Sequence, residues 1–286
     1  MSELPRITIV MPSFNQSRFI EEAIQSVIDQ NYPNLEFMIF DGGSSDGSQE
    51  IIKHHSDHLT YWQSQSDAGQ SDAIIQGFSR ATGELMGWLN SDDILLPGAL
   101  YHITQAQKFH PNAGLFGGNI LWIDEHGNIL RCRRPPSQAA FFARYGDFAI
   151  AQPGSFFRRK DYEAVGGLHS ELKFTMDVDL YLRMLANQTQ YFKVNDWVSG
   201  FRLQPFSKTS MERIKMDMEY EFVMQKYLPW VRSRRVGRIF YLGLQVINGN
   251  YVRLFLDNFF ARGKHWREWC GRNHVEQSGD WRSAEG

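Results

Sequence analysis

The sequence predicts an α/β protein: a mainly parallel, Rossmann-like sheet flanked by helices, with a helical extension towards the C-terminal end. Three observations carry this. Short, continuously apolar, β-rich runs alternate with longer helical patterns, those runs end in polar clusters, and no internal repeat or low-complexity tract breaks the order. Strands that are apolar along their whole length are buried on both faces, which calls for helices above and below a parallel sheet.

The elements follow in order. Residues 7–12 (ITIVMP) read as the first strand, and 17–30 (SRFIEEAIQSVIDQ) as a helix whose apolar residues recur every three or four positions. Residues 35–41 (LEFMIFD) form the second strand and 48–55 (SQEIIKHH) the next helix. A helix over 70–81 (QSDAIIQGFSRA), a strand over 85–90 (LMGWLN) and a helix over 98–109 (GALYHITQAQKF) complete the regular part, and the pattern loosens after Gly114.

At 286 residues and 42% hydrophobic, the chain can build one large domain or two small ones. A net charge of −2 gives no case for nucleic acid, although residues 230–286 carry 10 Lys and Arg against 5 Asp and Glu. Cys132 and Cys270 support neither a disulfide framework nor a metal knuckle, and reduced thiols suit the cytoplasm. The opening MSELPRITIVMPSF has no basic region followed by a long apolar stretch, so no signal peptide is expected. Gln245, Asn248, Asn250, Arg253, Asp257 and Asn258 interrupt the apolar run 239–260, which is not expected to cross a bilayer.

Three polar clusters fall at strand ends: Pro12-Ser13-Phe14-Asn15, Asp41 to Asp46, and Asn90-Ser91-Asp92-Asp93. Ligands of open α/β sheets bind beyond the carboxyl ends of the strands, so three such ends converge on one crevice. Taken alone, Asp41 to Gly47 also reads as turn chemistry, with glycines at positive φ and Asp46 capping a helix. The adjacent carboxylates of Asp92 and Asp93 sit between two apolar segments. Like charges that close resist desolvation unless hydrogen bonds, water or a cation compensates, and a cation is the sharper answer.

The stretches TIVMPSFNQSRFIEEAIQSVIDQNYPNLEFMIFDGGSSDGS and SDAGQSDAIIQGFSRATGELMGWLNSDD resemble the inverting family 2 glycosyltransferases, which have the A-type glycosyltransferase fold. The resemblance implies a catalytic unit over 1–229, with a nucleotide-sugar half (1–113) and an acceptor half (114–229), followed by a basic, aromatic tail (230–286). It implies a nucleoside-diphosphate sugar donor, most simply a UDP-sugar, a saccharide or lipid-linked acceptor, and a divalent cation between the donor phosphates and the protein. Carried over by position, Pro12, Ser13 and Asn15 belong to the first nucleotide-contacting loop, Asp41 to the base or ribose, and Asp67 and Gly69 to the next donor loop. Asn90-Ser91-Asp92 stands where the family has an Asp-any-Asp metal motif. The first Asp is Asn here, which leaves Asp92 and Asp93 as the expected metal ligands, and Mg²⁺ or Mn²⁺ suits such oxygen donors.

Residues 152–185 resemble the acceptor-side segment of the family, in which Glu-Asp-aromatic-Asp-Leu opens a helix. Met176, Asp177, Val178, Asp179 and Leu180 match it, so Asp177 is the expected catalytic base, with Asp179 next in line. Without the resemblance, the same string is an acidic first turn on an amphipathic helix. In the segment 197–210, Gln204 stands nearest to a His that some relatives place on the metal or diphosphate. Arg202 and Lys208 are candidate phosphate partners or members of a solvated basic loop. Rival functions are a sugar nucleotidyltransferase, which PSFNQSRF does not suit because it lacks a Gly-rich basic loop, and a non-catalytic nucleotide-sugar-binding protein, against which Asp177 argues.

The tail admits two readings. Residues 230–264 carry seven Lys and Arg and one Asp interleaved with aromatics, which suits peripheral attachment to an anionic membrane on the inner face of the cell. They equally suit helices packed on the catalytic unit with a basic outer face.

Overall fold

The computed structural model describes residues 4–143, 148–204, 212–228 and 250–277. The first half runs β1 (Ile7–Ser13), α1 (Ile20–Ile28), β2 (Leu35–Asp41), α2 (Ser48–His54), β3 (Tyr61–Ser64), α3 (Gln70–Arg80), β4 (Leu85–Trp88), β5 (Ile94–Leu95) and α4 (Ala99–Phe109). These elements match the expected ones within three residues at each end, apart from β3 and β5, which the sequence does not announce. β3 is a half-buried edge strand ending in Gln63 and Ser64, and β5 has two residues, so neither offers an apolar run.

The second half contains β6 (Ala113–Ile123), β7 (Ile129–Arg133), α5 (Ala139–Ala143), β8 (Ser155–Arg158), α6 (Arg159–Ala164), α7 (Met176–Ala186) and β9 (Gln190–Arg202). Three further helices follow: an anchor helix (Arg213–Tyr227), a first tail helix (Asn250–Ala261) and a second tail helix (Trp266–Gln277). One sheet has the order β3-β2-β1-β4-β8-β6-β9-β5, with β7 added to β6. It is parallel from β3 to β4, as predicted. Beyond β4 it is mixed: β8 runs antiparallel to β4 and β6, β9 parallel to β6, and β5 antiparallel to β9. The mainly parallel expectation therefore describes the first half.

Both sheet faces are buried, as the apolar strands require. Val10, Phe40, Trp88, Phe157 and Tyr181 belong to one core with α3 and α7, and Ile9, Ile39, Leu85 and Phe116 to the other with α1 and α4. Each fully buried side chain of this size contributes roughly 1.5–3 kcal/mol. The rigid sheet can therefore hold polar turns at its edge. A third core joins Leu121, Ile123, Ile129 and Cys132 to Ala261, Trp266 and Cys270 of the tail. Burial pushes both cysteine thiols up to about 12, so neither is a ready thiolate.

Candidate active site

The polar ends of β1, β2 and β4 meet. Ser13 pairs with Asp41 in register, the Gly42 N–H donates to Ser13 O at 2.8 Å, and the Leu89 N–H donates to Val10 O at 3.0 Å. A cavity of about 1140 Å³ opens there, lined by Pro12, Ser13, Asp67, Gly69, Asn90, Ser91, Asp92 and Asp177 among others. Nine expected site residues, Arg202 included, thus line one cavity. Ser13 Oγ is buried and has no hydrogen-bond partner, which leaves a polar atom for a ligand to satisfy. The Asp67 carboxylate accepts the Gly69 N–H at 2.8 Å, and Gly69 has a φ of +110°, a conformation that favours glycine, at the start of α3.

Two donor-loop residues are placed differently from expectation. Asp41 is 1% exposed, and its carboxylate accepts from the Gly43 and Ser44 N–H groups and from the Ser44 and Ser64 hydroxyls at 2.5–3.1 Å. It shapes the loop from behind and does not line the cavity. Asn15, at φ +52°, donates its N–H to Ser44 Oγ and accepts the Ser45 N–H on its side chain, so it ties the first two loops together. Phe14, Gln16 and Gly42 take the lining positions instead. A Cβ on Gly42 would come within 3.2 Å of the Asp67 carboxylate, so only glycine leaves that approach open.

The acidic pair after β4 divides. Asp92 reaches the cavity and accepts Gln204 Nε2 at 2.7 Å; burial raises its pKa, against the hydrogen bond from Gln204 and the charge of Arg202. Asp93 is fully buried and turned away, accepting the Arg202 N–H at 2.9 Å and Asn90 Nδ2 at 3.1 Å. Burial, and then the neighbouring Asp92 charge, push its pKa well up. Of the two expected metal ligands, only Asp92 faces the crevice. Arg202 lines the cavity as well, with its guanidinium engaged in structural bonds. Its Nε donates to Asp92 O, its Nη1 to Asp124 O and its Nη2 to Glu22 Oε2, at 2.6–3.0 Å, so its charge braces the turn that carries Asp92. Lys208 lies outside the described residues.

Asp177 opens α7, where the N–H groups of Asp177 and Val178 favour its charged form. Burial outweighs them and, with the nearby Glu219 charge, raises its pKa to about 6. Asp179 is spent on structure: it accepts Arg183 Nε and Nη2 and Tyr227 Oη, and His169 Nδ1 lies 3.0 Å from it. The turn before Asp177 is held by Glu219 of the anchor helix, whose carboxylate accepts the Lys173, Phe174 and Thr175 N–H groups at 2.7–3.0 Å. Thr175 makes no side-chain cap of its own; its hydroxyl donates to Glu219 at 2.9 Å instead.

Sequence reasoning missed Gln152, which donates to Trp88 O at 2.7 Å, and the lining group Trp122, Arg133 and Phe201. Residues 122 and 201 are paired between β6 and β9, a juxtaposition that no local motif announces.

Among the described residues, no group of three His, Cys, Asp or Glu side chains could by itself hold a metal ion. The donor set still fits a hard cation. Asp92 is a carboxylate whose charge is disfavoured by burial, and a divalent ion of this kind is often held by one carboxylate together with substrate phosphates and water.

The glycosyl transferase family 2 sequence model matches residues 8–166. A GalNAc(5)-diNAcBac-PP-undecaprenol β-1,3-glucosyltransferase of Campylobacter jejuni is 31% identical over 132 residues, 45% of this chain and 42% of that protein. The chain spans between 22% and 61% of the length of five such curated relatives. The Staphylococcus aureus TarS 1–349 structure in complex with UDP-GlcNAc superposes with a TM-score of 0.61 at 14% identity, over 76% of this chain and 65% of that one. A mannosyltransferase of Pyrobaculum calidifontis in complex with GDP-Man and Mn²⁺ superposes with a TM-score of 0.59 at 16% identity, over 94% of this chain and 84% of that one.

Proposed function

Since this chain belongs to glycosyl transferase family 2 and has the A-type glycosyltransferase fold, we propose that it moves a sugar from a nucleoside-diphosphate sugar, a UDP-sugar first among them, to an acceptor hydroxyl with inversion at the anomeric carbon. One observation carries this: Asp92 and Asp177 face the same cavity, while the neighbours Asp93 and Asp179 are both withdrawn into structural bonds.

In this mechanism Ser13, Asp67 and Asn90 position the donor, and Asp177 takes the proton of the acceptor hydroxyl. The hydroxyl oxygen bonds to the anomeric carbon as the bond from that carbon to the diphosphate oxygen breaks, and the electron pair leaves with the nucleoside diphosphate. A Mg²⁺ or Mn²⁺ ion held by Asp92 would stabilise the charge developing on the leaving diphosphate. General-base assistance is worth about 10²- to 10⁴-fold in rate, a large share of it Asp177's to supply. A single displacement needs no covalent nucleophile.

The acceptor is a saccharide, free or lipid-linked, and the protein works in the cytoplasm, peripheral to the inner face of the membrane. Support for the compartment comes from Cys132 and Cys270, both unpaired. Among the described residues no helix is long and apolar enough to cross a membrane.

The test is release of nucleoside diphosphate from a panel of sugar nucleotides, with and without saccharide acceptors, and with the product anomer determined by NMR. Acceptor-dependent release with an inverted product is expected. Retention, or incorporation of a nucleotide into the product, overturns the proposal.

A further inference from the structure

The first tail helix is oriented against the usual rule for a surface helix. Its inner face is the more polar one. Asn258 Oδ1 accepts the Cys132 N–H of the edge strand β7 at 2.8 Å, its Nδ2 donates to Cys132 O, and Asp257 pairs with Arg134 just past that strand. Only Leu254 and Ala261 join the core beneath. The outer face carries Tyr251, Val252, Phe255, Leu256, Phe259 and Phe260, spaced at i, i+1, i+4, i+5, i+8 and i+9. Phe255 is 62% and Phe259 71% exposed. A globular protein in water buries such a stripe. This helix instead spends asparagine and aspartate on its anchorage and presents the stripe outwards.

Charge decides what the stripe faces. Residues 250–264 include Arg253, Arg262 and Lys264 against a single acid, Asp257, which is turned inwards onto Arg134. Arg253 and Arg262 are exposed, and so is Arg131 of β7. Aromatics rimmed by unopposed arginines match the interface of a bilayer containing anionic lipid. The expectation of a basic outer face is thus replaced by an apolar face with a basic rim. Arg232, Arg234, Arg235 and Arg238, the cluster the sequence singles out, lie outside the described residues.

We propose that the outer face of helix Asn250–Ala261 docks the protein on an anionic membrane surface, and that its acceptor is borne by that membrane. The second clause rests on the glycosyl-transfer reading. It follows from β7, which anchors the helix through Cys132 and contributes the adjacent Arg133 to the cavity wall. A bilayer seated on the helix lies one strand from the cavity, within reach of a saccharide on a lipid carrier.

The experiment is flotation of the full chain with phosphatidylethanolamine vesicles, with and without phosphatidylglycerol. The wild type is expected to float with the anionic vesicles, and more weakly at high salt. The double variant Phe255→Ser/Phe259→Ser should lose at least about tenfold in binding while keeping its melting midpoint, because both side chains are already in water. Arg253→Glu/Arg262→Glu should lose only the preference for anionic vesicles. Failure of the wild type to float, or equal flotation of the Phe255→Ser/Phe259→Ser variant, overturns the docking. A concentration-dependent dimer that this variant dissolves assigns the face to a second copy and overturns it too. Nucleoside diphosphate release onto a water-soluble saccharide acceptor, run in parallel, separates the two proposals. The Phe variant should retain it, and a wild type that lacks it sinks glycosyl transfer while leaving docking to be judged by flotation.

Discussion

The indole N–H of Trp266 donates to Glu22 Oε1 at 3.1 Å, and the other oxygen of Glu22 accepts Arg202 Nη2 at 2.6 Å. Arg202 in turn holds the Asp92 carbonyl and the Asp93 carboxylate, so the second tail helix is joined in three steps to the acidic turn that lines the cavity. Trp266→Phe keeps most of the packing and removes that donor. A hydrogen bond to a charged group contributes about 1.5–3 kcal/mol, so thermal stability should fall by an amount of that order. Nucleotide affinity, measured by calorimetry with Mn²⁺, should weaken several-fold although Trp266 does not line the cavity. An unchanged affinity would confine the clamp to stability.

Asp92→Ala and Asp93→Ala should fail in different ways. The first removes the carboxylate that faces the donor, so chelator-sensitive UDP binding should drop at least about tenfold with little change in melting. The second leaves the buried Arg202 N–H without its acceptor and removes one of the two acceptors of the Asn90 amide, which costs about 1–3 kcal/mol. Equal loss of metal-dependent binding at matched stability in both variants would restore the pair as joint ligands.

Asp177→Asn should lower transfer by about 10²- to 10⁴-fold at unchanged nucleotide affinity, since the amide cannot accept the proton. It should also stabilise the fold. The pKa of Asp177 is about 6 in the folded protein against an ordinary 3.8, so the folded state holds the proton more tightly. Stability is therefore lost as pH rises from about 4 through 6, by roughly 1–3 kcal/mol at neutrality. The variant should melt higher than wild type at pH 7 and equally at pH 4. Wild-type transfer rates in Asp177→Asn would move the base elsewhere.

The same value sets the acidic limb of the rate profile. Transfer should fall as pH drops through about 6, where Asp177 is protonated. Glu219→Gln removes a negative charge that raises this pKa, so the limb should move to lower pH. Its maximal rate should also fall, because the Lys173 to Thr175 turn loses a charged acceptor. An unmoved limb would mean that another group controls it.

The first half was legible because its information is local. Ile7 to Ser13, Leu35 to Asp41 and Leu85 to Trp88 are apolar runs that end in polar residues, and Pro12, Ser13 and Asn90 to Asp92 stand at those ends, whereas Asp67 and Gly69 are expected only from the family resemblance. Side-chain direction was not legible. Whether Asp92 or Asp93 faces the crevice depends on Arg202, more than a hundred residues away, and no local pattern shows that Arg202, expected as a phosphate partner or part of a solvated basic loop, gives its guanidinium to two backbone carbonyls and a glutamate in α1. Asp41 and Asn15 were misplaced for a related reason: their partners are serine side chains and N–H groups within the loops, which composition does not distinguish from ligand contacts.

β5 pairs with β9, Ile94 opposite Gly200, so the segment just after Asp92 and Asp93 waits for a strand made more than a hundred residues later. At about 5–20 residues per second of synthesis, that wait lasts roughly 5–20 s on the ribosome. During it the parallel strands β1, β2 and β4 can pair, but Arg202 and Gln204 do not yet exist to orient the acidic turn, and Asp177 joins only in the same closing stretch. The acidic turn is braced only once β9 is inserted, and slow insertion of that strand would show as a lag in nucleotide binding behind the recovery of helical structure during refolding.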